Sequence, residues 1–383
     1  MSGSMKPRER FVTALNHGIP DRVPVYDFLF SRRLMKEQLG YVTELHDGAT
    51  QVKLASKLGL DGIFIPINGY CGFEEVAHPE GSRYDDEWGV TYVKNGWPVM
   101  VQVDVPIKKK SDWENYRMPD PRARHRANMI RDAVKANEGE IAVVAGFLGP
   151  FTMMYWYFMD LASLSLTVYD DPGLIDEINR AYVKWVLEAA EVAVEAAAAA
   201  GRSAGRTTER GAGFSAVTGL DAFMIADDWG GTTALLMSPA HLRRFFVGPF
   251  GEIIRGLKKW GLPVAMHNDG NLWDVLDDLV ATGIDGYHPV ERGASMDLAK
   301  VKARYGKRLC PIGNIDNKTT MVTGTPEDVE HEALECLRTA APGGGYILAT
   351  DHSLHDDIPT VNVYAYIEAA KRYGAYPLRL PHA

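Results

Sequence analysis

Three short clusters in the C-terminal half of the chain carry residues that could do chemistry. The first is His267-Asn268-Asp269. Alternate residues leaving a strand point the same way, so His267 and Asp269 can enter one cavity together. That spacing suits two ligands of one metal ion, or an imidazole polarised by a carboxylate. A plainer reading also fits. Asp269 could cap a following helix while His267 hydrogen-bonds within the core, and spacing alone favours this reading because cap residues are common there. The second cluster runs Asp351-His352-Ser353-Leu354-His355-Asp356-Asp357. His352 is its best candidate for a second site histidine, with Asp351 beside it. His355, Asp356 and Asp357 are expected to face outward. The third is Asp227-Asp228, where Asp228 offers a carboxylate to a cavity and its neighbour caps a loop.

Aromatic residues gather at 147–158: Phe147, Phe151, Tyr155, Trp156, Tyr157 and Phe158. They suit either an ordinary core or the wall of an apolar site, and Phe151 and Tyr155 are taken as wall candidates. A nucleophilic thiol is not expected. Cys310 falls in a strand, Cys336 in a helix, and Cys71 has no evident partner base.

These residues need a scaffold that brings distant segments together. Short apolar runs alternate with amphipathic stretches, which signals a parallel sheet covered by helices. Strands are expected over 23–28, 61–67, 141–145, 221–226, 262–266, 284–289, 309–312 and 346–349. Helices are expected over 50–58, 239–260, 272–281, 297–305, 325–340 and 362–373. Eight parallel strands make an α/β fold of the (β/α)8 barrel type. In such barrels the active site forms at the C-terminal ends of the strands. The residues found there are polar: Asn68, Asp227, Asp228, His267, Asp269, Glu291, Asn314, Asp316, Asp351 and His352. Asn68, Asn314 and Asp351 are therefore taken as substrate-binding candidates. A stretch over 84–107, alternating around Asn95-Gly96, reads as an inserted β-hairpin. The Arg- and Gly-containing segment 201–219 reads as a surface loop rather than a phosphate cradle.

Composition narrows the function. The chain has 383 residues, 41 basic and 50 acidic, for a net charge of -9. That balance disfavours binding to a nucleic-acid backbone. Three cysteines without a CxxC pair exclude a cysteine-rich metal site or disulfide scaffold, and fit a reducing, cytoplasmic setting. Residues 141–159 are uncharged, but glycine and proline interrupt them and acidic residues flank them, so no membrane span is expected. The N-terminus lacks an apolar signal segment. Residues 1–4 read as a cloning remnant, and a single barrel with an N-terminal extension is expected over 5–383. The oligomeric state, monomer or homodimer, is left open.

A set of ordered motifs resembles the uroporphyrinogen decarboxylase superfamily. They are Arg8-Glu-Arg-Phe with Pro20-Asp-Arg-Val-Pro24, Gly149-Pro-Phe151, Tyr169-Asp-Asp-Pro172, and Ser238-Pro239 with Phe245-Phe and Pro249. His267-Asn-Asp-Gly270, Gly313-Asn-Ile-Asp316, Gly324-Thr-Pro-Glu327 and Gly343-Gly-Gly-Tyr-Ile347 complete the set. The resemblance implies a single barrel and one of two chemistries. Decarboxylases carry an arginine-rich segment after the first strand and an aspartate after the next. Here those places read Tyr26-Asp-Phe-Leu-Phe-Ser-Arg-Arg33 and Ile67-Asn68-Gly69. Corrinoid-dependent members that methylate a thiol use His-x-Cys and a later cysteine to bind zinc. Here Asp269 and the glycines at 343–345 stand in those positions.

What the resemblance then implies is a methyltransferase of the O-demethylating kind. It would pass a methyl group from a small methylated substrate, a methoxylated aromatic, to cob(I)alamin carried by a corrinoid protein partner. His267, Asp269, Asp228 and His352 would form the catalytic group. His267 and Asp269 could supply a proton, or with His352 could hold Zn2+ as a Lewis acid. A tetrapyrrole decarboxylase and a non-catalytic tetrapyrrole- or corrinoid-binding barrel are the alternatives.

Overall fold

The computed structural model describes residues 4–43, 47–67, 78–95, 101–137, 140–203 and 219–381. Six parallel strands form its main sheet: β2 (Gly62–Pro66), β6 (Ala142–Leu148), β7 (Ala222–Ala226), β8 (Val264–His267), β9 (Gly286–His288) and β10 (Cys310–Pro311). They lie in chain order across the sheet. The segment carrying β1 (Phe28–Leu29) closes the ring. It pairs in parallel with β2 through Tyr26 and Gly62, and with the last strand segment through Val25 and Leu348. That last segment also pairs with Ile312 beyond β10, and ends in β11 (Ser353–Leu354) beside β1. The result is the eight-stranded (β/α)8 barrel expected from the alternation of short apolar runs and helices.

Strand alternation explains its interior. Inward positions carry Tyr26, Phe28, Phe30, Phe64, Val144, Met224, Ala265, Ile312 and Ala349, which form one buried cluster. The helix Pro7–Leu15 plugs the N-terminal end with Phe11 and Leu15. Small residues make room for the plug. A Cβ on Gly286 would lie 2.7 Å from Leu15 Cδ1, and one on Gly62 would lie 3.0 Å from Phe11. Beneath the plug, fully buried Asp61 takes Arg10 at 2.6 Å and Arg22 at 3.0 Å, and accepts Val25 N–H at 2.7 Å. The arginines and aspartates of the opening motifs thus lock the barrel floor, far from the strand ends where chemistry is expected.

Two elements differ from the sequence reading. The insert is a three-stranded antiparallel ribbon of β3 (Arg83–Asp85), β4 (Thr91–Val93) and β5 (Val101–Asp104) rather than a single hairpin. Its first turn is built by Asp86, whose carboxylate accepts Trp88 and Val90 N–H groups at 2.9 Å each. That Asx-type turn supplies the extra strand. The helix expected over 272–281 spans only Leu276–Ala281, because a separate turn occupies 272–275. The long helix Pro172–Ser203 absorbs the alanine-rich stretch. Most of the segment expected as an Arg-containing loop, residues 204–218, lies outside the described residues, as do Asn68, Cys71 and Gly96. Among the described residues, no helix is long and apolar enough to cross a membrane.

Candidate active site at the barrel mouth

His267 is the last residue of β8, and its register partner on β9 is His288. Both are inward positions, two residues beyond Ala265 and Gly286. Their rings meet, with Nδ1 to Nδ1 at 2.7 Å. Phe28 lies below both, its ring centroid 5.0 Å from His267 and 4.8 Å from His288. His267 is 4% exposed and His288 is fully buried. This packing turns His267 Nε2 up toward the mouth, 3.7 Å from Asp269 Oδ1 and 3.9 Å from Asp228 Oδ1.

Asp269 is not a helix cap, since the helix that follows begins at Leu276 and has Val275 at its cap position. Instead its backbone N–H donates to Asp228 Oδ1 at 3.1 Å, and its Oδ2 lies 3.3 Å from His352 Nε2. Gly270 makes the turn that allows this, with φ of 87°. A Cβ there would sit 2.3 Å from the Gly230 backbone, so only glycine fits. The Gly270 N–H donates to Glu291 Oε2 at 2.7 Å, and Glu291 Oε1 in turn holds Lys318 Nζ at 2.5 Å. His352 is fixed by Ser353 Oγ on Nδ1 at 2.8 Å and by the edge of Phe30.

The neighbouring acidic pair divides its work. Asp227 is fully buried and fastens the loop by accepting Thr152 N–H at 2.7 Å. Asp228 is half-buried and faces His267 and Asp269.

The electrostatics follow from burial and crowding. Burial pushes the Asp228 carboxyl up to about 8, helped by the charge on Asp269. Burial alone would raise Asp269 as well, but His267 and His352 hold it well below the usual carboxylate range. Burial lowers His267 to about 4. For His352 burial acts downward, yet Asp269 and Asp228 outweigh it and push the imidazole up to about 9. At neutral pH the mouth therefore holds an Asp269–His352 ion pair, a neutral His267 and a protonated Asp228. A cavity of about 530 Å³ opens onto this group, with Phe30, Asp269, Glu291, Lys318, His352 and His355 in its walls.

The fold thus gathers His267, Asp269, Asp228 and His352. It does not gather every candidate. Phe151 is fully buried against Tyr155, Trp229 and Phe246, so it is core. Tyr155 is partly exposed, and burial together with the nearby Asp228 charge raises its hydroxyl pKa. Asn314 points away from the cavity. Gly313, with φ of 140°, swings the chain so that the Asn314 amide donates to Val290 O at 3.0 Å and its oxygen meets Cys336. Asp351 is buried and accepts Asn317 N–H at 2.9 Å, which supports the loop carrying Lys318 rather than facing the cavity. His288 and Lys318 were not singled out from the sequence. Extending the inward alternation of 284–289 to its last polar member would have found His288.

Three ligand atoms, one each from His267, Asp269 and His352, lie within 4.8 Å of one another. Two imidazoles and one carboxylate form a donor set that suits Zn2+ with an open position. Asp269 Oδ1 is buried without a hydrogen-bond partner, as a ligand oxygen would be.

A polar centre at the C-terminal mouth of a parallel barrel is the arrangement of a barrel enzyme. A family model described as uroporphyrinogen decarboxylase (URO-D) matches residues 214–373. A uroporphyrinogen decarboxylase from Alkalilimnicola ehrlichii is 25% identical over 391 residues, covering 96% of this chain and 94% of that protein. One from Pseudoalteromonas atlantica is 24% identical over 283 residues, 70% of each chain. Among solved structures, a methyltransferase from Methanosarcina mazei superposes with a TM-score of 0.68 at 19% identity, covering 97% of this chain and all of that one. The likeness to the uroporphyrinogen decarboxylase model thus lies in the C-terminal part of the chain, and the likeness of fold to a solved methyltransferase extends over nearly all of it.

Proposed function

We propose that the protein is a methyltransferase that takes a methyl group from a small methoxylated aromatic compound and passes it to cob(I)alamin on a corrinoid protein. The observation that carries this reading is the mouth itself. An open cavity with an aromatic wall at Phe30 adjoins His267, Asp269, Asp228 and His352. Neither described cysteine is near it. Cys310 lies in the lower barrel interior, and Cys336 is buried behind Asn314. That arrangement disfavours a thiol acceptor held on a thiolate-bound metal. The likeness of fold to a solved methyltransferase agrees with the reading.

An aryl ether oxygen leaves poorly unless it is protonated or bound to a cation as the methyl departs. His352 lines the cavity and holds a proton on Nε2, shared with Asp269 Oδ2. It is placed to give that proton to the departing oxygen. Asp269 keeps His352 charged, and the neutral carboxyl of Asp228 holds a second proton within the same group. Phe30 and Phe28 supply an apolar floor that excludes water beneath the donor. Where Zn2+ is bound, His267, Asp269 and His352 would hold it, and it would supply Lewis-acid stabilisation of the same oxygen. The corrinoid supplies the nucleophile, so the chain needs none of its own.

The decarboxylase reading finds less support, because the segment after the first strand lacks the arginine spacing of that family. Arg33 is spent on the carbonyl of Ile358 and lies 3.8 Å from Glu37. The test is incubation of the protein with reduced corrinoid protein and a panel of methoxyarenes and methylamines. Methyl transfer from a methoxyarene supports the reading. Transfer from none of the panel defeats it.

A further inference from the structure

We propose that His288 is the positioning residue of this centre, and that it makes His267 present an Nε2–H to the mouth. The two rings sit side by side in register on β8 and β9 and touch through Nδ1 atoms 2.7 Å apart. Two neutral imidazoles in that contact share a single proton. One ring donates from Nδ1, and the other accepts there and must carry its own proton on Nε2.

Both ends of the pair favour the same choice. His288 Nε2 is buried with no hydrogen-bond partner, and its ring lies against Tyr26 and Phe28. An N–H there would be a buried donor left without an acceptor, the more costly arrangement. The proton of His288 therefore belongs on Nδ1, donated to His267. At the other end, His267 Nε2 faces Asp269 Oδ1 and Asp228 Oδ1 at 3.7 and 3.9 Å. A hydrogen there points toward two carboxyl oxygens and is attracted by them, whereas a lone pair would face oxygen lone pairs. His267 thus takes the Nε2–H form, and a cation at that nitrogen would have to displace the proton.

The inference rests on the methyltransferase reading only for its consequence in turnover. Its structural content stands apart, because the proton position is observable without substrate, corrinoid or metal. The experiment is nitrogen-15 NMR of the histidine rings in chelator-treated, uniformly labelled protein. Wild type, His288→Phe and His288→Gln are compared. The wild-type His267 spectrum is expected to show a protonated Nε2 and a hydrogen-bonded, unprotonated Nδ1.

In His288→Phe the Nδ1 resonance should move and both ring forms should appear. His288→Gln, whose amide can still donate, should restore the wild-type pattern. Losing an orienting partner should lower kcat/KM by about 10- to 100-fold, with partial recovery in His288→Gln. A wild-type His267 protonated on Nδ1, or an unchanged His267 in His288→Phe, overturns the proposal. If no methyl donor is turned over, the function reading fails and the NMR result still decides this one.

Discussion

Asp269 is the hinge of the site's charge balance, and Asp269→Asn tests it most sharply. The substitution keeps the shape and removes one negative charge 3.3 Å from His352 Nε2. At an effective dielectric of about 20, that contact contributes roughly 5 kcal/mol to keeping the imidazole charged. The His352 side chain is 39% exposed. Water screening therefore cuts the figure to about half, or roughly 2 pKa units. Wild-type His352 titrates at about 9. In the variant it should titrate near or below neutrality, since burial then acts with little opposition. The sign follows directly. A proton donor is active while protonated, so wild-type activity should persist through neutral pH and fall as pH rises through about 9. The falling limb of Asp269→Asn should shift down by about 2 units, with activity near pH 8 lowered about tenfold and partly regained in acid. The assays are the pH profile of kcat/KM and an NMR titration of His352 in chelator-treated protein. An unmoved His352 titration in the folded variant would refute the argument.

Other parts of the structure make independent predictions. Fully buried Asp27 accepts from Thr350 and Tyr366, and burial raises its carboxyl to about 7. With its folded pKa above the ordinary value, it favours the folded state less as pH climbs through 4 to 7. Asp27→Asn should therefore gain on wild type between pH 5 and pH 8, by about 3 kcal/mol at most, read as a widening gap in Tm. An equal Tm gap at both pH values would contradict this. Asp61→Asn strands two arginines at the barrel floor and should cost about 3–5 kcal/mol in urea unfolding, with kcat little changed below the melting range. Phe28→Ala opens a cavity under both histidines. It should cost about 3–5 kcal/mol and lower kcat more than Asp61→Asn does at matched stability.

The barrel was largely legible in the chain because each strand is a short apolar run fully buried on both faces, as in Ala142–Leu148. Thr325-Pro326 marked a helix start where threonine caps and proline opens the first turn. His267, Asp269, Asp228 and His352 could be grouped because each directly follows a barrel strand, and a barrel brings all strand ends together. Asn314 shows where this logic stops. It too follows a strand, but a positive-φ glycine just before it redirects the side chain, and strand position alone carries no such information. Phe151 shows the same limit for aromatic residues. Composition cannot tell a ring that packs on Trp229 and Phe246 from one that faces a cavity. Phe30, which does face it, stood in a segment read for its arginines instead. His288 was missed because Tyr287-His288-Pro289 reads as a strand end, and its meaning comes only from the neighbour it meets across the sheet.

The central claim is methyl transfer to cobalt, and labelled substrate tests it most directly. Protein, reduced corrinoid partner and a methoxyarene carrying carbon-13 in its methyl group would be combined, and the corrinoid examined by NMR and mass spectrometry. The account predicts labelled methyl on the cobalt and one equivalent of free phenol, both lost in His352→Gln. Unlabelled corrinoid from folded wild-type protein, with uroporphyrinogen instead losing carbon dioxide in its presence, would contradict it.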